Sequence, residues 1–321
     1  MGTILKISET DRRLIFELQK NGTTSYAQLA DRLQITPQTI AKRIEGLIES
    51  KAISIRALPN PFKLGLQANA LIAIKTDPTK IDHVCEKLFD NFHINLLQTV
   101  FGRFDILAMI YFPNWELLHE FITNELSTID GVTNVETFFI NKILKRYDRF
   151  FQEESYQKGP AKLKEVDWML IKELVKNGRA STGELAEKLG IHITTVYRKT
   201  SSLLKEEFIK ISAVPNPSRL GYSANAFIAL DVAPTKVDDI CKSLYPYPEI
   251  HRILTMINRS RMIVCIHTKD HEALYEFIKK KIAPLEGIIN TETFVGAIVQ
   301  KTYYGLLMED PETLDLKILR S

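Results

Sequence analysis

The stretch PNPFKLG at residues 59–65 returns as PNPSRLG at 215–221, an offset of 156 positions in a chain of 321 residues. The same offset carries Asp11 to Asp167, Asn21-Gly22 to Asn177-Gly178, Leu29-Ala30 to Leu185-Ala186 and Asn69 to Asn225. It also carries Pro78-Thr79-Lys80 to Pro234-Thr235-Lys236, Cys85 to Cys241, Gly131 to Gly287, and Glu136-Thr137-Phe138 to Glu292-Thr293-Phe294. No gap is needed from Glu9 through Tyr147. Solenoid repeats recur every 20–50 residues or so; a period this long marks a duplicated pair of domains. Any function has to explain why one chain carries two copies.

Each copy opens with helices and then changes period. In copy one Asp11 is the expected cap of a helix carrying Leu14, Ile15 and Leu18, ended by Asn21-Gly22. Ser25 caps a second helix with Leu29, Ala30 and Leu33, and Thr36-Pro37 supplies a cap and a first-turn proline for a third. That third helix places Ile40, Ile44, Leu47 and Ile48 on one face. Ile53 to Arg56 alternates and reads as a strand or wing before the break at Pro59-Asn60-Pro61. From Gln67 onward the order is strand (70–74), helix (79–89), strands (94–101 and 106–112), helix (114–126) and strand (132–143). This βαββαβ order is the ferredoxin-like arrangement, an antiparallel sheet with both helices on one face. Its bare face needs a cover, and the sheet of the second copy is the natural one.

The fold expected is therefore α+β in two tandem units, with the two sheets packed as an internal pseudo-dimer. The divisions are a winged helix-turn-helix at 1–58, a ferredoxin-like domain at 59–149, a linker at 150–163, a second winged helix-turn-helix at 164–214, a second ferredoxin-like domain at 215–304 and a tail at 305–321. The linker, roughly 15 residues reaching about 50 Å when extended, lets the two sheets meet within one chain.

Composition narrows the function classes. No stretch approaches the ~20 apolar residues of a bilayer crossing, so no membrane partner is expected. Met1 to Thr10 lacks the basic-then-apolar pattern of a secretory signal. Three cysteines without a C-x-x-C motif fit a reducing cytoplasm and argue against structural zinc. The net charge of +3, from 42 basic and 39 acidic residues, is mild. Its distribution is more telling: residues 1–56 carry 9 basic and 6 acidic groups, while residues 57–150 carry 9 and 11. The helical segments are the positive ones.

With its apolar face turned inward, the third helix of copy one presents Gln38, Thr39, Lys42, Arg43 and Glu45 outward or to the flank, behind the cap Thr36. Gln, Thr, Lys and Arg reach base edges and phosphates in a major groove, although any solvated helix face shows such residues. Copy two keeps Val196, Leu203 and Leu204 inside and offers Thr194, Thr195, Arg198, Lys199, Ser201 and Ser202. His192-Ile193 replaces Thr36-Pro37, a poorer cap, and leaves Thr194 to cap one turn later. If both helices read double-stranded DNA, they read different sequences.

Each copy resembles the Lrp/AsnC family of feast/famine transcriptional regulators through LADRLQITPQTIAKRIEGL with KAISI, then PNPFKLG, VFGRFDILAMI and GVTNVETFFI, in that order and spacing. The resemblance implies a prokaryotic regulator with a winged helix-turn-helix followed by a ligand-responsive ferredoxin-like domain used to dimerise. Members are usually single-copy, so the duplication is a departure, and further self-association of whole chains stays open. The turn Gly102-Arg103-Phe104-Asp105 resembles the family's G-x-x-D turn, which implies a small amino-acid effector at Gly102 and Asp105, with Thr137 a lesser candidate. Glycine lets backbone N–H groups approach a carboxylate and Asp105 is able to pair an ammonium group, while hairpin turns also favour both residues on conformational grounds. Copy two reads Asn258-Arg259-Ser260-Arg261 at this turn and departs from the motif.

The remaining candidates read as structural. His267 and His271 alone among seven histidines have a metal-like spacing, across a strand end and a helix start, and half-buried imidazoles explain them better. Cys85 and Cys241 read as packing. The cluster Phe101, Phe104, Tyr111, Phe112 and Trp115 reads as sheet core, and Lys279-Lys280-Lys281 as a solvated helix face. Hydrolase, zincin, dinucleotide and phosphate-loop motifs are missing from the sequence, so neither a catalytic residue nor a cofactor is expected. The competing reading is an enzyme: sirohaem decarboxylases resemble the same architecture and pair two related copies, with a tetrapyrrole held between the sheets.

Overall fold

The computed structural model describes residues 7–89, 91, 93–146, 163–257 and 262–301. The copy-two turn Asn258–Arg261, the tail 305–321 and nearly all of the linker expected at 150–163 lie outside the described residues. The chain divides into two units, and the division does not follow the copies. One unit gathers both helical segments and the other gathers both sheets.

The helical unit contains α1 (Glu9–Lys20), α2 (Tyr26–Leu33), α3 (Pro37–Glu49) and β1 (Ile53–Pro59) from copy one. From copy two it contains α6 (Glu165–Lys176), α7 (Thr182–Leu189), α8 (Ile193–Lys205) and β6 (Ile209–Pro215). Ser25 and Thr36 cap α2 and α3 as expected, the latter ahead of Pro37. At α1 the cap is Ser8, one turn earlier than the sequence suggested: its hydroxyl accepts from the Asp11 N–H at 3.1 Å, and Asp11 returns the bond to the Ser8 N–H. His192 caps α8 directly, its Nδ1 accepting from Thr194 N–H at 3.4 Å, so the helix is not delayed to Thr194. Leu47 is buried but Ile48 is 42 % exposed, which narrows the apolar face of α3.

The segment expected as a wing finds its partner in the other copy. Strands β1 and β6 pair antiparallel, with Arg56 opposite Ser212 and Ile53 opposite Pro215. Arg56 and Ser212 are equivalent under the repeat, so a local two-fold axis passes between them. The turns after α1 and α6 extend this ribbon: Gly22 N–H donates to the Ile211 carbonyl and Gly178 N–H to the Ile55 carbonyl, each at 2.9 Å. A Cβ on Gly22 would lie 2.9 Å from the Ser212 nitrogen, and one on Gly178 2.9 Å from Arg56 backbone atoms. Only glycine allows this approach.

The second unit is a closed eight-stranded barrel in the order β10-β3-β4-β2-β5-β8-β9-β7. Copy one supplies β2 (Ala68–Thr76), β3 (Ile94–Phe101), β4 (Ile106–Phe112) and β5 (Val132–Arg146). Copy two supplies β7 (Ala224–Val232), β8 (Ile250–Met256), β9 (Met262–Thr268) and β10 (Ile288–Lys301). Helices α4 (Ile81–Phe89) and α5 (Trp115–Glu120) cover the first sheet, and α9 (Val237–Leu244) and α10 (His271–Phe277) the second. On β2 Ala68, Ala70, Ile72 and Ile74 join Val84, Leu88 and Leu118 in one core, and a matching core forms in copy two. Asn69, Leu71 and Ala73 alternate with them and are equally buried, on the inner face of the barrel. The sheets meet as an internal pseudo-dimer and are also hydrogen-bonded edge to edge. Ile140 pairs with Met256 at one seam and Gly296 with Val100 at the other.

Candidate nucleic-acid interface and effector turn

Two ion-pair ties, repeated in both copies, hold each three-helix bundle. Glu17 on α1 accepts from Lys20 at 2.6 Å and from Arg32 of α2 at 2.7 Å; Glu173 on α6 accepts from Lys176 at 3.0 Å and from Lys188 of α7 at 2.6 Å. Asp11 accepts from Arg43 Nη1 of α3 at 2.8 Å, and Asp167 from Lys199 of α8 at 2.9 Å. Burial opposes ionisation of Asp11, yet hydrogen bonds from Ser8 and Arg43 outweigh it and hold the carboxyl below its ordinary range. Arg43 and Lys199, expected to face DNA, are thus turned onto the first helix of their own domain.

Of the residues expected at the DNA, Gln38, Lys42 and Glu45 on α3 and Thr194, Arg198, Ser201 and Ser202 on α8 face solvent, as does Thr36 at the cap. Thr39 and Thr195 are half-buried, and the Thr39 hydroxyl lies 2.9 Å from that of Thr36, inside the cap. Lys42 and Arg198 are repeat equivalents, so the two recognition helices present an exposed cation at the same place. The sequence reading passed over Tyr197, 67 % exposed beside Arg198, where copy one has the small Ala41. A difference of that size between copies at a solvent-facing position was the signal available.

The turn after β3 crosses to the other copy. Gly102 has φ +148°, and a Cβ there would lie 3.2 Å from Phe294 Cδ1 of β10. Arg103 donates to both oxygens of Glu292, at 2.8 and 3.1 Å, and to Glu136 at 2.7 Å; Glu136 and Glu292 are repeat equivalents. Asp105 is occupied within its own sheet: Lys75 Nζ donates to Oδ1 at 2.9 Å and Thr76 N–H to Oδ2 at 2.9 Å. An effector ammonium would have to displace Lys75. Thr137 lies on β5, half-buried, opposite Ile72.

The other candidates divide. Phe104, Tyr111 and Phe112 are core, but Phe101 is 69 % and Trp115 44 % exposed. Cys85 and Cys241 are buried in equivalent helices, and burial pushes both thiols up to about 11. Lys279, Lys280 and Lys281 are exposed. His267 lies against His251, ring centroids 4.4 Å apart and planes tilted by 34°. Among the described residues no three His, Cys, Asp or Glu side chains form a metal-binding group. No helix among them is long and apolar enough to cross a membrane.

The AsnC-type helix-turn-helix model matches residues 7–48, the winged helix-turn-helix DNA-binding model matches 163–210, and the Lrp/AsnC ligand-binding domain matches 69–150 and again 225–303. An uncharacterised HTH-type transcriptional regulator of Pyrococcus furiosus is 31% identical over 147 residues, which is 45% of this chain and 99% of that protein. The transcriptional regulator LrpA of Pyrococcus horikoshii is 32% identical over 144 residues, 43% of this chain and 99% of LrpA. Each of these relatives thus corresponds to one copy. The crystal structure of the siroheme decarboxylase NirDL superimposes over 97% of this chain and 98% of that one, with TM-score 0.67 and 16% identity, a likeness of fold. Two matched helix-turn-helix segments and two matched ligand-binding segments place this chain in the Lrp/AsnC family of transcriptional regulators, as a tandem fusion of two family units.

Proposed function

We propose that the chain is a sequence-specific DNA-binding regulator that reads an asymmetric site with two unlike recognition helices. The observation that carries this reading is the β1–β6 ribbon, which joins both helix-turn-helix domains around a local two-fold axis in one unit. A homodimer places identical helices on a palindrome. Here Gln38, Thr39 and Lys42 stand opposite Thr194, Thr195, Tyr197 and Arg198 across the axis. Arg43 and Lys199 act by fixing each recognition helix on its own first helix. The effector is a small amino-acid-like molecule taken by the barrel at the Gly102 turn, where the Arg103 link to Glu136 and Glu292 couples the two copies.

Selection of binding sites from random duplex DNA is the test. Enriched sequences should contain two unlike halves about one helical turn apart, and a clean palindrome would overturn the reading. The enzymatic alternative is separated by adding sirohaem to the purified chain. A stoichiometric change in its visible absorption, together with no retention on DNA at low salt, would favour the enzyme.

A further inference from the structure

The two helix-turn-helix cores are not packed alike. In α2 Leu29, Ala30 and Leu33 are all buried; in α7 only Leu185 is. The repeat offset shows where volume has been lost: Tyr26 becomes Thr182, Thr24 becomes Ala180, and Ile44, 2 % exposed, becomes Thr200. In copy two a cavity of about 470 Å³ results, bounded by Leu174, Thr182, Thr200 and Leu204 and by Tyr26 from copy one. Thr200 lines it, while the Thr200 hydroxyl itself is buried out of reach of the open space and without a hydrogen-bond partner.

The wall of this cavity carries a charge that copy one lacks. Arg179 stands where copy one has Thr23. It donates Nε to the Gly22 carbonyl and Nη2 to the Thr24 carbonyl, both at 2.9 Å, and lies 4.9 Å from the Tyr26 ring centroid. Both acceptors are neutral, so the guanidinium keeps an unneutralised charge among the described residues. The volume falls within the roughly 300–1,000 Å³ of small-molecule pockets.

We propose that this cavity is a second ligand site, distinct from the effector turn, for a small carboxylate with an aromatic or branched apolar body. The body fills the space left by the missing Tyr and Ile side chains, against Leu174, Thr200 and Leu204, and Arg179 pairs the carboxylate. Because Arg179 reaches from copy two to the α1–α2 turn of copy one, an occupant ties the two reading domains together.

The probes are phenylacetate and its neutral isostere phenylacetamide, titrated calorimetrically into the full chain without DNA, so that the outcome is independent of the DNA-reading proposal. Phenylacetate should bind. Arg179→Thr, the residue of the sister copy, should weaken phenylacetate about tenfold, the loss expected with a charge-assisted hydrogen bond, and leave phenylacetamide unchanged. Thr200→Ile, again the sister residue, should abolish both while raising the melting temperature by filling the cavity. Failure of phenylacetate to bind the unmodified chain overturns the proposal, as does full binding by the Thr200→Ile variant.

Discussion

His251 on β8 and His267 on β9 lie against each other in the barrel unit, ring centroids 4.4 Å apart and both side chains half-buried. Burial, and then the nearby Arg252 charge, depresses His267 to about 4 from an ordinary 6.5; His251, also facing Lys145, is lowered well below its ordinary value. Between pH 6.5 and 4 the unfolded chain holds a proton on His267 that the folded chain refuses. Stability is therefore full above that interval and falls on acidification through it, by up to roughly 3 kcal/mol for this one group. Thermal melts from pH 7.5 to 4.5 should show the decline, and His251→Asn with His267→Tyr, the residues of copy one, should flatten it. An equally steep decline in the double variant would exclude the histidines as its source. The contact was not legible in the sequence, because sixteen residues separate the two positions and only the β8–β9 pairing brings them together. Asp105 was half legible: its place in the turn could be read, but the Lys75 that occupies it is thirty residues away. By offset Lys75 and Asp105 correspond to Asp231 and Arg261, so the two charges are exchanged in the sequence of copy two.

Recognition helices α3 and α8 show what periodicity conveys and where it stops. Their existence, the cap at Thr36 and their buried Ile40, Ile44 and Val196 follow from spacing and turn chemistry, whereas the cap at His192 does not. Which of two adjacent cations points outward does not, because Arg43 and Lys199 sit on the flank and their direction depends on a carboxylate in another helix. The structure divides the work between neighbours. Lys42→Ala and Arg198→Ala should weaken DNA binding without lowering the melting temperature, each flattening the salt dependence by about one unit of slope. Asp167→Ala should instead destabilise the bundle by about 1–2 kcal/mol, because it removes the Lys199 pair and the bond from the Lys164 N–H together. Undiminished binding by Lys42→Ala or Arg198→Ala, or a loss of stability without a loss of binding at either, would reverse this division; filter binding across a salt series and denaturant melts distinguish them.

Across the whole molecule the strands carry the joining of the copies, and this was the least legible level. Single strands such as β1 give no hint of their partner, and a sheet edge does not announce that it will be closed by another. Without copy two, copy one leaves β1 unpaired and both β3 and β5 as open edges, a condition that favours aggregation. Copies produced as two separate chains should therefore recover a one-to-one complex when expressed together, seen by gel filtration with light scattering; two non-associating monomers would contradict the closed barrel. The ribbon also sets a bar against the wrong pairing. On a true two-fold axis a residue meets its own image, so two copy-one domains would bring Arg56 against Arg56, like charges directly opposed and destabilising. The fused chain sets Arg56 opposite Ser212 instead. Duplication has thereby released the axial position from having to be its own partner, and in doing so it has made copy one a poor match for itself.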